Sequence, residues 1–307
     1  MKSRRIVVVG SSNTDMVIKL ERIPRPGETV LGGEFVMTAG GKGANQAVGA
    51  ARAGGDVVFV ARVGSDVFGT QAIEGFIADG IDVRHVYRDS KAPSGVGLIF
   101  VDKLGENSIA VASGANARLS AADVSKASKV FKGARVLLLQ LEVPAETVLA
   151  AARLAAESGA CVILNPAPAR ALPDKLLRCV SVLTPNETEA QMLTGIKIRS
   201  DAAAARAARQ LRARGVRTVI LTLGGRGAFV ASEAITQRVP GFPVKPLDST
   251  GAGDMFSGAL AAALAEQQPL LHAVRFANAA AAISVTRVGA QPSAPTRREI
   301  DKLLRHG

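Results

Sequence analysis

The chain has 307 residues, with 38 Lys and Arg against 26 Asp and Glu for a formal charge of +12, and 48% of it is hydrophobic. That length buries a sizeable core without disulfides, and two cysteines, Cys161 and Cys179, are too few for a disulfide framework or structural zinc, so they read as buried small apolar residues in a reducing cytoplasm. Arg, Lys, Gly or Asp interrupts every apolar run short of the ~20 residues that span a bilayer, and with no Trp and one tyrosine the basic charge steers small anions such as a nucleotide rather than binding nucleic acid.

Met1-Lys-Ser-Arg-Arg is basic, but the apolar stretch after it, 6–9, stops at Gly10 and reads as a first strand with no signal peptide. Further short β-branched runs predict strands at 57–61, 136–140, 161–165, 180–184 and 218–222. Ala-rich helical segments separate them at 44–53, 68–79, 144–158, 187–193 and 202–214, and from 251 onward helices follow one another at 251–266, 269–285 and 296–305. This alternation predicts an α/β fold, a doubly wound, mainly parallel sheet flanked by helices on both faces. Residues 15–38 and 95–113 break the pattern, because they are strand-like, rich in turn residues and lack long helices. They are expected to form either a small separate sheet acting as a lid over a cleft, or an ordinary edge hairpin. With no internal repeat or long linker, residues 1–307 are expected to form one domain including that lid.

Five segments carry candidate chemistry. Gly10-Ser-Ser-Asn13-Thr-Asp15 places an amide and a carboxylate beyond the end of the first strand, the edge at which open α/β sheets bind ligands; the pair could grip adjacent sugar hydroxyls or form an Asx turn. Gly40-Gly-Lys42-Gly-Ala-Asn45-Gln46 lacks the spacing and the hydroxyl of a Walker A loop, and reads as a turn that lets a polyol approach the backbone beside Lys42 and Asn45, or as a purely structural turn. Glu142 also ends a predicted strand. Thr184-Pro-Asn186-Glu187-Thr-Glu189 and Thr222-Leu-Gly-Gly-Arg-Gly227 follow strands and could face a nucleotide; helix capping and a hairpin turn are their alternatives, and at most one of Glu187 and Glu189 is expected to face a metal or its waters.

Asp248-Ser-Thr-Gly-Ala-Gly-Asp254 precedes an apolar periodic stretch and so opens a helix. Its unpaired amides would attract a phosphate, and Asp254 would accept a proton from an attacking hydroxyl or merely cap the helix. His85, His272 and His306 have no metal-binding spacing, and no Gly-x-Gly-x-x-Gly follows the first strand, which argues against a Rossmann-type dehydrogenase.

Residues 40–69, reading GGKGANQAVGAARAGGDVVFVARVGSDVFG, and 248–254, reading DSTGAGD, resemble the two signature patterns of the ribokinase-like (phosphofructokinase-B type) carbohydrate kinases. NPAPAR at 165–170, TPNETEA at 184–190 and TRVGAQPS at 286–293 extend the resemblance over most of the chain. It implies phosphorylation of D-ribose on its 5-hydroxyl by ATP, with a related pentose or nucleoside, such as 2-deoxyribose, as the alternative acceptor. Asp254 would be the base, and the amides of Gly251, Ala252 and Gly253 the anion hole. The sugar would be held at Asn13, Asp15, Gly41, Lys42, Gly43, Asn45 and Glu142. The nucleotide would lie at Asn186, Thr222, Leu223, Gly224, Gly225, Arg226, Gly227, Gly253 and Asn278, the last standing where some members carry His. The resemblance further implies magnesium reached through water by Glu189, potassium at Asp248, Thr250, Ser284, Arg287, Gly289 and Ser293, and a homodimer formed through the lid sheet.

Overall fold

The computed structural model describes residues 4–306; Met1, Lys2 and Ser3 of the basic N-terminus, Gly307 and the side chain of His306 lie outside the described residues. The chain opens with β1 (Arg5–Val9), whose side chains alternate between two cores, Ile6 and Val8 entering one and Val7 and Val9 the other. A β-branched run without polar interruption suits a strand covered on both faces. β2 (Asn13–Lys19) and β3 (Glu34–Gly40) leave for a second sheet. The chain returns to the first sheet through α1 (Lys42–Arg52), β4 (Asp56–Gly64), α2 (Val67–Ala78) and β5 (Asp82–Asp89), and β6 (Gly95–Val101) and β7 (Asn107–Ala112) complete the second. There follow α3 (Ala121–Lys126), α4 (Ser128–Phe131), β8 (Ala134–Leu139), α5 (Ala145–Glu157), β9 (Cys161–Leu164), α6 (Asp174–Leu177), β10 (Val182–Leu183), α7 (Glu187–Thr194) and α8 (Asp201–Ala213). The chain ends with β11 (Thr218–Thr222), β12 (Ala228–Ala231), β13 (Thr236–Val239), α9 (Ala252–Ala265), α10 (Leu270–Ser284) and α11 (Arg297–His306).

The large sheet runs β13-β12-β11-β10-β9-β8-β1-β4-β5, parallel from β5 to β11 and antiparallel at β12 and β13. Buried residues of α1, α2, α9, α10 and α11 form the core on one face, and those of α3 to α8 the core on the other. From β1 the chain winds out through β4 and β5, then returns to β8 on the opposite side of β1 and winds the other way. The crevice beyond the carboxyl ends of β1 and β8 is therefore the topological switch point, where an open α/β sheet leaves room for a ligand.

The second sheet, β3-β2-β6-β7, is separate, which decides between the two readings of 15–38 and 95–113 in favour of a small independent sheet. Other expectations shift. The strand predicted at 180–184 shrinks to two residues, and Pro185 soon after offers no N–H to a ladder, leaving only an isolated bridge between Asn186 and Thr222. β5, β12 and β13 were not anticipated: β5 carries Asp82, Arg84, Arg88 and Asp89 at an edge of the sheet, and the other two have four residues each. Both cysteines are half-buried rather than buried, Cys161 at the start of β9 and Cys179 donating from Sγ to the Lys175 carbonyl at 3.5 Å. Among the described residues no helix is long and apolar enough to cross a membrane.

Candidate active site

α1 and α9 begin side by side at the switch point. Their backbones touch: a Cβ on Gly258 would lie 2.7 Å from Ala50 N and Gln46 O. This close approach puts two amide side chains of the first turn of α1 against Asp254 in the first turn of α9, Asn45 Nδ2 donating to Oδ2 at 3.0 Å and Gln46 Nε2 to Oδ1 at 2.9 Å. The N-cap of α9 is Gly251, with no side-chain cap, so Asp254 accepts from no backbone amide of its helix, although its place in the first turn suits the helix dipole. Asp254 is only 4% exposed. Burial pushes its carboxyl above the usual range, while Lys42 and the Asn45 and Gln46 amides pull it back. The Lys42 ammonium is raised in turn, by Asp254 foremost and then by Glu142, Glu189 and Asp15, against the opposing effect of burial. Four carboxylates thus face one ammonium.

At the N-terminal end of this loop the Ala252 amide donates to the Ser249 carbonyl at 3.2 Å, whereas those of Gly251 and Gly253 find no acceptor among the described residues. Two of the three expected anion-hole donors are therefore unpaired, at the positive end of the α9 dipole.

Asn13, Asp15 and Glu142 lie on the small-sheet side of Asp254. Asn13 and Asp15 lie in β2 on one face of the small sheet, so the Asx-turn alternative does not apply. Gly40 and Gly97 on the neighbouring strands make room for Asp15; a Cβ at either would come within 2.0 or 2.5 Å of its carboxylate oxygens. That carboxylate accepts no hydrogen bond among the described residues and is pushed up to about 6, by burial first and then by Glu142, with Lys42 opposing. Glu142 Oε2 accepts from Ser11 Oγ at 2.5 Å and from the Lys42 amide at 2.9 Å, which ties the ends of β8 and β1 to the start of α1. The Gly43 amide donates to Ser11 Oγ at 3.2 Å, and Gly41 precedes α1 with φ of 88°. Asn116, which the sequence did not single out, donates from Nδ2 to Asn13 Oδ1 at 2.7 Å and to the Ser12 carbonyl at 3.0 Å, and so fixes which way the Asn13 amide faces.

On the other side of Asp254 the ends of β10 and β11 open into two contiguous cavities. The smaller, about 150 Å³, is lined by Lys42, Asn165, Thr184, Glu189, Gly251 and Asp254 among others. The larger, about 670 Å³, is bounded by Asn186, Thr222, Gly224, Gly225, Gly227, Gly253 and Asn278. It also takes in Gly241, Phe242, Pro243, Val244 and Pro246, a stretch without strand or helix periodicity that the sequence did not mark. Leu223 is buried in the core, and Arg226 pairs with Glu187 at 2.5 Å, so neither side chain lines the cavity. Gly224–Arg226 is the tight turn of the β11–β12 hairpin, and of it Gly224 and Gly225 form part of the cavity wall. Asn186 caps α7 in a reciprocal box with Glu189, whose oxygens accept from Asn186 N at 2.9 Å and Nδ2 at 3.0 Å. Burial raises the Glu189 carboxyl despite these donors. Asn278 Nδ2 donates to the carbonyls of Val239 and Pro240 at 3.2 and 3.0 Å.

Beside the 249–253 loop, Asp248 gathers two segments: Oδ1 accepts from the Thr250 amide at 2.9 Å and Oδ2 from the Gly289 amide at 2.8 Å. Burial acts to raise its carboxyl, but these amides outweigh it and the net shift is downward. Ser284 accepts at its carbonyl from the Arg287 amide at 3.0 Å, the Arg287 side chain pairs with Glu299, and Ser293 Oγ donates to the Ala290 carbonyl at 2.7 Å.

A family model described as pfkB family carbohydrate kinase matches residues 3–297. A ribokinase of Haemophilus influenzae is 43% identical over 303 residues, covering 99% of this chain and 99% of the relative. A deoxyribokinase of Salmonella typhi is 36% identical over 300 residues, covering 97% of this chain and 98% of the relative. Among solved structures, that of Arabidopsis thaliana ribokinase complexed with ribose and ATP aligns with a TM-score of 0.91 at 32% identity, with 99% of each chain covered. With a doubly wound sheet, a small second sheet beside the switch point and a family match over nearly its whole length, the chain belongs to the pfkB family of carbohydrate kinases.

Proposed function

We propose that this kinase transfers the γ-phosphoryl group of ATP to the 5-hydroxyl of D-ribose. The observation that carries the reading is the place of Asp254, a buried carboxylate that caps nothing and stands where the lid-side polar cluster meets the cavities at the ends of β10 and β11. Asp15 and Glu142 accept from sugar hydroxyls, Asn13 and Asn45 donate and accept, Lys42 donates, and the Gly41–Gly43 backbone lets the ring approach. Asp254 takes the proton of the attacking hydroxyl as its oxygen bonds to the γ-phosphorus and the bond from that phosphorus to the bridging oxygen of ADP breaks. Amides of Gly251 and Gly253, joined by Ala252 when its long bond to Ser249 yields, stabilise charge on the transferring group. The nucleotide occupies the larger cavity along Asn186, Thr222, Gly224, Gly225 and Gly227, with its base toward Asn278 and Phe242.

The excess of carboxylate charge around Lys42 fits a magnesium ion held through water by Glu189, which would neutralise phosphate charge. Asp248 and the backbone oxygens of Thr250, Ser284, Arg287, Gly289 and Ser293 would supply an oxygen-only set with one carboxylate, which suits potassium, and that ion would steady the anion-hole loop. Residues 1–307 act as one unit in the cytoplasm, with the small sheet as its lid.

That lid also explains an exposed apolar surface. Phe35, Met37 and Leu98 on one face, and Val36, Ile109 and Val111 on the other, are between 45% and 61% exposed, more apolar area than a lone edge sheet usually leaves to water. We expect pairing of two lids in a homodimer. The protein should sediment at twice its 31.6 kDa chain mass, and Leu98→Asp or Ile109→Asp, whichever faces the partner, should release monomers. Sedimentation of the unaltered protein at the chain mass rules the dimer out.

The acceptor is tested by ADP release with ribose, 2-deoxyribose, fructose, adenosine and ribulose, each with and without potassium. Ribose should give the highest kcat/KM, because a buried polar set built for hydroxyls discriminates against an analogue that lacks one, and potassium should raise the rate. Absence of turnover on any pentose ends the proposal; preference for 2-deoxyribose moves it to that sugar.

A further inference from the structure

Behind Asp254 lies a row of amide side chains to which the proposed reaction assigns no step. Gln46 Nε2 donates both to Asp254 Oδ1 at 2.9 Å and to Asn165 Oδ1 at 3.1 Å, and Gln46 Oε1 accepts from Gln140 Nε2 at 2.6 Å. Asn165 Nδ2 donates to the Thr184 carbonyl at 3.1 Å. Gln46, Gln140 and Asn165 are all buried.

Shape alone would accept either orientation of each amide, but donor and acceptor matching leaves one. An ionised Asp254 only accepts, so Gln46 must turn its NH₂ toward it. The Gln46 oxygen then faces Gln140, which must donate, and Asn165 must offer its oxygen to Gln46 and its NH₂ to the backbone. The row ends on Gln140 Oε1, a buried oxygen with no hydrogen-bond partner among the described residues, lying where a Cβ on Gly10 would come within 2.1 Å of it. An unsatisfied buried oxygen costs stability, and this one follows from holding the row in the single direction that serves Asp254.

We propose that Gln46 and Gln140 are positioning residues of the kinase reaction, a polarised relay that orients the Asp254 carboxylate and keeps it ready to accept the proton. The inference rests on Asp254 being the base. Gln140 lines neither cavity, so it acts only through Gln46. The charged groups that face Asp254 are Lys42 from α1, Glu142 from the end of β8, Asp15 from β2 and Glu189 from α7, and replacing either glutamine leaves all four in place.

The test is Gln46→Met and Gln140→Met, which keep length and apolar packing but remove the amides. For Gln46→Met, kcat should fall by roughly tenfold to a hundredfold, the worth of a hydrogen bond to a charged group, with KM for the sugar within about threefold. The ionised form of Asp254 loses a donor, so the acid limb of the kcat/KM profile should move to higher pH. Gln140→Met should shift kcat and the limb in the same directions by less, and it carries the test alone if Gln46→Met does not fold. Folded variants in which only thermal stability drops, with kcat and the acid limb unmoved, overturn the relay. Failure of the underlying assignment looks different, because Asp254→Asn would then retain activity whatever the glutamine variants do.

Discussion

Asp254→Asn is expected to lower kcat by about 10³-fold or more while changing the Kd for nucleotide by less than about threefold, since removal of a general base in an otherwise intact site affects the transition state far more than the ground state. The substitution is isosteric and uncharged, so the packing of α9 against α1 should persist. What changes is the chemistry: the amide that replaces the carboxylate cannot take the hydroxyl proton, and its NH₂ meets the amide donors of Asn45 or Gln46. Steady-state ADP release and calorimetric titration of nucleotide measure the two quantities. The sign of the pH dependence follows from the same surroundings. Because burial holds the Asp254 carboxyl above the usual carboxylate range, the acid limb of kcat/KM should lie above the pH at which a solvated aspartate titrates, activity being lost as pH falls through it.

Asp15 should give the second large effect, and on binding rather than turnover. Its carboxylate accepts nothing from the described residues yet is held among Gly40, Gly97, Glu142 and Lys42. If Asp15 accepts from the sugar as proposed, Asp15→Ala should raise KM for ribose by about a hundredfold, the worth of one hydrogen bond to a charged group at ~1.5–3 kcal/mol, with a smaller change in kcat. Unchanged KM refutes the assignment. The same carboxylate also predicts a stability effect of opposite sign. An acid whose folded pKa is raised from 3.8 to about 6 favours the folded state when protonated, and that contribution is present below 3.8 and lost as pH rises through about 6. The uncharged isostere Asp15→Asn should therefore melt higher than the unaltered protein at pH 8 without sugar, and the difference should close toward pH 4.

The alternation of β-branched and Ala-rich segments made the parallel sheet and its helices legible, because strands covered on both faces must be continuously apolar. The edge elements were not: β5 is an edge strand with charges on it, and β12 and β13, four residues each, continue the sheet from β11 with the Gly224–Gly227 turn between β11 and β12 as the only local sign. At the site, the glycine-rich loops named the chemistry but left every role ambiguous. Local sequence made capping a fair reading of Asp254, and its hydrogen-bond partners turn out to be Asn45 and Gln46, which are 209 and 208 residues away in the chain. Long separation also hid Asn116 and Gln140, whose partners Asn13 and Gln46 are 103 and 94 residues away, and the 240–247 loop, since an amide in a short turn or past a strand end, or a proline-rich connection, carries no signal until the fold gives it a partner. For Asn186 and Glu189 the capping alternative was correct and does not compete with the functional one, because the box that caps α7 also presents both residues to the smaller cavity.

Phosphorylation of ribose at its 5-hydroxyl is tested most directly by the ³¹P-coupled proton spectrum of the product formed from ribose and ATP. The expected product is a phosphomonoester coupled to the two C5 protons, formed in step with ADP. Coupling to the anomeric proton, or ADP formed with inorganic phosphate and no sugar ester, would contradict the proposed reaction.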